Sequence, residues 1–257
     1  NKKLLILDLD DTLWGGIVGD VGWKNLRIGG HDYLGEAFHD FQVRIKSLTN
    51  HGVILALVSK NDESIAVEAI KKHPEMVLSI NDFVAHRINW EDKAKNIVEI
   101  VEELNIGLQS VVFFDDSLFE RERIRETLPE VFVPDLPKDP TDYVTFLSKL
   151  RCFDTKHITA EDRVRGKLYK TESKRTKLKQ KFKSISEWIE TLNLEILIEN
   201  IKKENVPRSL QLLNKTNQMN LSTRRLNEQE FKNWIDKDSN HLWTVRAKDK
   251  FGDYGII

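Results

Sequence analysis

The chain has 257 residues, with 40 Lys+Arg against 41 Asp+Glu and a formal net charge of −1. That length suits one large domain or two ordinary ones, and the near-neutral balance gives no electrostatic case for a nucleic-acid or anionic-membrane partner. A single cysteine, Cys152, excludes an internal disulfide framework and a thiolate metal cage. With no membrane-length apolar run and no signal peptide in the sequence, a cytoplasmic location is the default expectation. The chain begins inside a strand pattern and stops inside an apolar run, which reads as a piece cut from something longer.

The first predicted element is a strand at Leu4–Leu7 that runs directly into Asp8-Leu9-Asp10-Asp11-Thr12. Two carboxylates about 4 Å apart repel by roughly 4 kcal/mol at an effective dielectric near 20. The tip of this strand must therefore be wet, protonated or neutralised, and a hard divalent cation is the simplest answer. Next comes a glycine-rich stretch, Trp14 to Tyr33, too short to fold a large cap domain. Leu34, Phe38, Phe41, Ile45 and Leu48 then recur at helical spacing. A second strand, Val53–Val58, ends in Ser59-Lys60-Asn61-Asp62, and a short third is expected at Val77–Ile80.

A helix opens near Trp90-Glu91-Asp92, with Lys93 in its first turn and Ala94, Ile97, Val101 and Leu104 on its apolar face. Strand four, Ser110–Phe114, ends in Asp115-Asp116-Ser117; a fifth is expected at Val131–Val133. Pro134, Pro137 and Pro140 punctuate the exit before a closing helix from Asp142. Short apolar strands alternating with amphipathic helices predict an α/β domain over 1–150 with a parallel sheet.

Between Arg163 and Lys183 stand ten basic residues and one acidic residue, Glu172, after a capping pattern at Thr159 and Asp162. Few apolar residues recur periodically there, so 151–185 reads as a solvated connecting helix rather than a nucleic-acid surface. Beyond it a strand at Leu194–Ile198, helices at Val206–Thr216 and Asn227–Asp236 and a strand at Leu242–Arg246 open a second α/β domain, 186–257.

In an open parallel sheet, ligands bind beyond the carboxyl ends of the strands. At that edge the sequence delivers Asp8, Asp10 and Thr12 from strand one, Ser59 and Lys60 from strand two, Lys93 after strand three and Asp115 and Asp116 from strand four. These supply a carboxylate nucleophile, a second acid, hydroxyl and cationic phosphate ligands (Ser59, Lys60, Lys93, Thr12) and a metal-binding acid pair. Each feature alone has a plain structural reading as a turn, a cap or a solvated lysine. Their convergence on one edge favours a phosphate site.

In order and spacing, Asp8-Leu9-Asp10-Asp11-Thr12, Ser59, Lys93 and Asp115-Asp116 resemble the four motifs of the haloacid dehalogenase superfamily. More narrowly the chain resembles the FkbH-like group, subfamily IIIC. That likeness rests on Leu13-Trp14-Gly15-Gly16-Ile17-Val18-Gly19-Asp20, Val58 to Asp62, Arg87-Ile88-Asn89-Trp90-Glu91-Asp92-Lys93, Phe119-Glu120-Arg121-Glu122 and the stretch from Lys215 to Arg225. Asp11 stands where the family often has Asn, and Met219 where Phe is expected.

The resemblance implies a Rossmann-like parallel sheet with flanking helices and a minimal cap, followed by a partial N-acetyltransferase-like (GNAT-like) domain. It implies that Asp8 forms an aspartyl-phosphate and Asp10 acts as general acid and base. Mg2+ would be held by Asp8, the Asp10 carbonyl and one of Asp115 and Asp116, with Asp116 favoured. It also implies a substrate, 1,3-bisphosphoglycerate, and a partner, an acyl carrier protein loaded with the glyceryl group. A phosphatase of another small metabolite, or a carrier-docking module with a vestigial site, are the alternatives. Cys152 follows the first domain outside every motif and reads as a packed or idle thiol.

Overall fold

β1 (Leu4–Leu7), β2 (Ile54–Ser59), β3 (Phe83–Ile88) and β4 (Val111–Phe114) pair in parallel in the order β3-β2-β1-β4. This computed structural model describes residues 2–154, 166, 168–172, 175, 178, 182, 184–215 and 225–256. The capping pattern at 159 and 162, most of the basic run 163–183 and positions 216–224 of the second-domain motif lie outside the described residues. The chain divides into two compact units, Asn1–Ser173 and Lys174–Ile257.

In the first unit, β1 is central and buried on both faces, which is why its four residues are all apolar. Successive side chains of a strand point to opposite faces. Leu5 and Leu7 accordingly pack with Phe38, Phe41 and Ile45 of α2 (Tyr33–Thr49), while Leu4 and Ile6 join Ile97 and Ile100 of α4 (Lys93–Glu103). Further helices here include the single-turn α1 (Val18–Val21), α3 (Glu63–Lys72), α5 (Leu118–Thr127) and α6 (Tyr143–Lys149).

Capping side chains turn the strand ends into helix starts. Asp62 accepts from the Ser64 amide at 2.9 Å, Asp92 from the Ala94 amide at 2.8 Å and Ser117 from the Glu120 amide at 3.4 Å. Each satisfies an amide that the first helical turn leaves unpaired. Three helix N-termini thus follow closely on the carboxyl ends of β2, β3 and β4. Between β1 and α2 the chain contributes α1, a 3-10 turn at Trp23–Asn25 and isolated bridges between Asp10 and Trp14 and between Gly15 and Arg27. The return is tight: a Cβ at Gly35 would collide with the Gly29 carbonyl.

Two expected strands need correction. Val77–Ile80 is not a strand; the Val77 and Leu78 amides both donate to Gln42 Oε1 at 3.1 Å, and Ser79 and Asp82 form a capping box around a 3-10 turn. The third strand is Phe83–Ile88, where half-buried His86 and Arg87 interrupt the apolar run and hide it. Val131–Val133 makes one bridge, Phe132 to Val112, rather than a strand; Pro134, with no amide proton, follows at once.

The second unit contains α7 (Ile185–Thr191), β5 (Glu195–Asn200), α8 (Val206–Lys215), α9 (Glu228–Ile235), β6 (Trp243–Asp249) and β7 (Gly252–Ile256). Its sheet is antiparallel in the order β5-β6-β7. Unlike β1, β5 is an edge strand whose Ile196, Leu197 and Ile198 are exposed. Among the described residues, no helix is long and apolar enough to cross a membrane.

Candidate active site

The carboxyl ends of β1 and β4 lie side by side, with Leu7 registered on Phe114. The residue after each is therefore Asp8 and Asp115, brought together by parallel pairing alone. Ligand oxygens of Asp8, Asp115 and Asp116 all lie within 4.8 Å of one another. From the start of α4, Lys93 reaches into this cluster, with Nζ 3.0 Å from Asp8 Oδ1 and 2.6 Å from Asp115 Oδ2. Only 4 % of Lys93 is exposed, and Asp115 is fully buried.

One lysine among three carboxylates leaves the cluster short of positive charge. Burial, and then the charge of Asp8, push Asp115 up to about 7 despite Lys93. Asp116 is raised by burial and by the charges of Asp8 and Asp11. Burial pulls Lys93 down, but Asp8 and Asp115 more than reverse this and hold its ammonium above the usual lysine range. The lysine is firmly cationic, and the residual strain falls on the acids. Asp8 Oδ1 is buried, and its near partner is the Lys93 ammonium at 3.0 Å, which is shared with Asp115. Three clustered carboxylates that share one ammonium, two of them destabilised, are an all-oxygen donor set that suits a hard divalent cation.

Asp10 differs from its neighbours. Its Oδ1 accepts from Trp14 Nε1 at 2.8 Å and the Val18 amide at 3.0 Å, and its Oδ2 accepts from Asn61 Nδ2 at 2.7 Å. These three donors fix both oxygens. Burial raises its pKa against their pull, and the Asp8 charge adds to the rise. A carboxyl held in place and shifted towards protonation can act as an acid and then as a base.

Ser59 ends β2 with 2 % exposure, and its hydroxyl makes no hydrogen bond among the described residues. Two of the expected phosphate ligands are occupied differently. Thr12 is fully buried, and its hydroxyl donates to Asp116 Oδ1 at 3.3 Å while accepting from the Asp116 amide at 3.1 Å. Lys60 Nζ lies 2.6 Å from Glu120 Oε1. Both brace neighbouring loops.

Sequence reasoning assigned no role to Trp14, Asn61, Arg121 or Tyr143. Trp14, four residues after Asp10, and Asn61, two residues after Ser59, stand inside quoted motifs, and a hydrogen-bond donor that close to a candidate site residue is a usable signal. Tyr143 hydroxyl donates to the Asp11 carbonyl at 3.2 Å across 132 positions, a contact with no local signature. A cavity of about 450 Å³ opens beside this site, lined by Asp11, Asp116, Arg121, Lys138 and Tyr143 among others. The exposed Trp90, Leu118 and Phe119 belong to the loops and first turns after β3 and β4.

No protein-family model and no curated protein matches the chain. Among solved structures it is similar to the N-terminal part of the protein BF1531 from Bacteroides fragilis, which contains a phosphatase domain and was crystallised with Mg. The identity is 51 % and the TM-score 0.59, over 60 % of this chain and 41 % of that one. The match thus spans about two fifths of the length of that solved chain. It also aligns with 3-deoxy-D-manno-octulosonate 8-phosphate phosphatase from Moraxella catarrhalis, covering 68 % of this chain and 90 % of that one. At 18 % identity and a TM-score of 0.32, that likeness carries no argument. The mixed α/β architecture, a four-stranded parallel sheet flanked by helices, matches the haloacid-dehalogenase-like Rossmann-type fold expected from the motifs.

Proposed function

We propose that this chain is a Mg2+-dependent phosphoryl-transfer enzyme of the haloacid dehalogenase type, with Asp8 as nucleophile and Asp10 as general acid and base. The observation that carries this reading is the convergence of Asp8, Asp115 and Asp116 within 4.8 Å around one buried lysine. The bound magnesium of the Bacteroides phosphatase-domain protein supports the choice of metal. Asp8, the Asp10 carbonyl and Asp116 or Asp115 would hold Mg2+, which supplies the positive charge that lets an anionic phosphate approach a carboxylate.

In the first half-reaction a bond forms between Asp8 and phosphorus as the bond to the leaving oxygen breaks, and Asp10 gives that oxygen its proton. In the second, Asp10 takes a proton from the acceptor, which attacks phosphorus and frees Asp8. Lys93 and the Ser59 hydroxyl orient the phosphoryl oxygens. Positioning and charge compensation then supply most of the rate enhancement.

The substrate reading rests on the FkbH-like resemblance: the glyceryl group of 1,3-bisphosphoglycerate is transferred to the thiol of an acyl carrier protein. Atom balance constrains where Asp8 acts. Attack on the acyl phosphate would leave an unactivated carboxylate, so Asp8 removes the ester phosphate. The acyl phosphate remains for the thiol, whose sulfur bonds to carbon as phosphate departs. The short β1–α2 segment and the exposed Trp90, Leu118 and Phe119 support a macromolecular acceptor. In the same reading, 151–185 connects to an N-acetyltransferase-like unit; its order of strand, two helices and two strands supports that likeness.

The test incubates the chain with Mg2+, 1,3-bisphosphoglycerate and a phosphopantetheinylated carrier protein, then weighs the carrier by intact-mass spectrometry. A glyceryl increment is expected. Phosphate release without that increment leaves a metabolite phosphatase, and neither outcome leaves a vestigial docking module.

A further inference from the structure

Arg121, in the first turns of α5, sits 93 % out of solvent with no carboxylate in hydrogen-bond range. Its Nη1 donates to the carbonyl of Asp115 at 2.8 Å and to that of Asp116 at 2.6 Å. Its Nε is buried without a hydrogen-bond partner, and the nearest acid, the exposed Asp135, lies 4.0 Å away. Burying a guanidinium against two neutral carbonyls is costly unless a nearby negative field offsets it. Here the field comes from the three carboxylates at the ends of β1 and β4. The preceding residue, Glu120, holds Lys60 from the end of β2, so consecutive residues of α5 tie down two loops of the candidate site.

We propose that Arg121 is the positioning residue of the metal centre: by gripping the carbonyls of both acids it fixes the peptide planes that aim the Asp115 and Asp116 carboxylates at a shared divalent cation. This rests on the reading of Asp8, Asp115 and Asp116 as a metal site. The side chains of both acids are steadied separately, Asp115 by Lys93 and the Ser117 amide and Asp116 by Thr12. Apart from the Asp116 amide, which Thr12 also holds, those bonds orient carboxylates only relative to a main chain that must itself be held. A lysine keeps the charge, but its freely rotating ammonium does not hold two protons in the fixed guanidinium plane from which Nη1 reaches both carbonyls. Charge and grip are therefore separable.

The test is calorimetric Mg2+ titration of the full chain as wild type, Arg121→Lys and Arg125→Lys. Arg125 lies one turn further along α5 and bonds the Val133 carbonyl at 2.7 Å, Asp135 and Glu122 but neither Asp115 nor Asp116, so it reports the cost of loosening an α5 arginine that does not touch the site. Arg121→Lys is expected to weaken Mg2+ binding about tenfold or more, and Arg125→Lys to leave it within about twofold, at comparable losses of Tm. Equal Mg2+ affinity in wild type and Arg121→Lys overturns the proposal and gives Arg121 a purely structural role. Failure of wild type itself to bind Mg2+, or undiminished binding in both Asp115→Asn and Asp116→Asn, instead overturns the metal-site reading beneath it. If Arg121→Lys does not fold, arginine side-chain NMR of the wild type decides. A shift of the Arg121 Nη resonances on Mg2+ addition, with Arg125 unmoved, is expected, and an unmoved Arg121 contradicts the proposal.

Discussion

Asp115 and Asp249 are both carboxylates without side-chain exposure, each bonded to a buried cation, and they sit at opposite ends of the ionisation scale. Asp249 is closed. Arg175 meets it through Nε at 2.7 Å and through Nη2 at 3.0 Å, Tyr254 donates its hydroxyl at 2.8 Å, and the Phe251 and Gly252 amides donate at 2.8 and 3.0 Å. Arg175 first, and these donors after it, hold the Asp249 carboxyl well below the usual carboxylate range. Asp115 shares one lysine with Asp8, keeps Asp116 within 4.8 Å and is pushed up to about 7. The same residue types make a staple in one unit and an unfinished charge balance in the other. An unfinished balance is what a binding site needs, because the ligand completes it.

The comparison can be broken most decisively at Asp8. Asp8→Asn is expected to lower Mg2+-dependent hydrolysis of p-nitrophenyl phosphate by about 10⁴-fold or more, measured as kcat beside an unchanged circular dichroism spectrum; turnover near wild type would remove Asp8 as nucleophile. Asp10→Asn is expected to cost about 10²–10⁴-fold while Mg2+ affinity is kept. On the other side, Asp249→Ala breaks the buried ion pair that Arg175 makes through two nitrogens, and urea unfolding should report a loss of about 3–5 kcal/mol.

A sharper contrast comes from one substitution at two places. Without Mg2+, Asp116→Asn relieves repulsion and should raise stability by about 1 kcal/mol, as is common for destabilised functional sites, whereas Asp249→Asn should lower it. The same sign at both positions would dissolve the distinction between them. The Asp249 effect also has a pH signature. Its folded pKa is depressed, so its contribution is fully present above the unfolded value near 4 and is lost as pH falls towards the folded one. The stability gap between wild type and Asp249→Asn should therefore narrow below about pH 4, and a constant gap would count against the ion pair. The smallest effect is expected at Trp90, where Trp90→Ala should raise KM for a carrier protein several-fold and leave p-nitrophenyl phosphate kinetics alone.

Much of this was legible because it depends on short-range rules. Leu4–Leu7 followed by acids announces a central strand and its working tip, and Asp62, Asp92 and Ser117 announce the helix starts that ring the site. Parallel register then brings Asp8 beside Asp115 with no further information. The third strand was misplaced because Phe83–Ile88 carries His86 and Arg87, so its apolar pattern is weaker than the decoy at Val77–Ile80 that Gln42 ties down. The bracing duties of Thr12, Lys60, Arg121 and Tyr143 depend on contacts between residues 5 to 132 positions apart. Composition and periodicity hold no record of such contacts. Arg121 was the hardest to find, because an arginine in an exposed-looking helix turn normally reads as solvated.

The most direct measurement of the central claim is a rapid-quench experiment with radiolabelled acetyl phosphate and Mg2+, followed by peptide mapping of the quenched chain. Label on the peptide carrying Asp8, sensitive to hydroxylamine and absent when Mg2+ is chelated, is the expected result. Turnover with no label on Asp8, or label on a different carboxylate, would contradict the assignment of this acid cluster as a metal-assisted phosphoryl-transfer site.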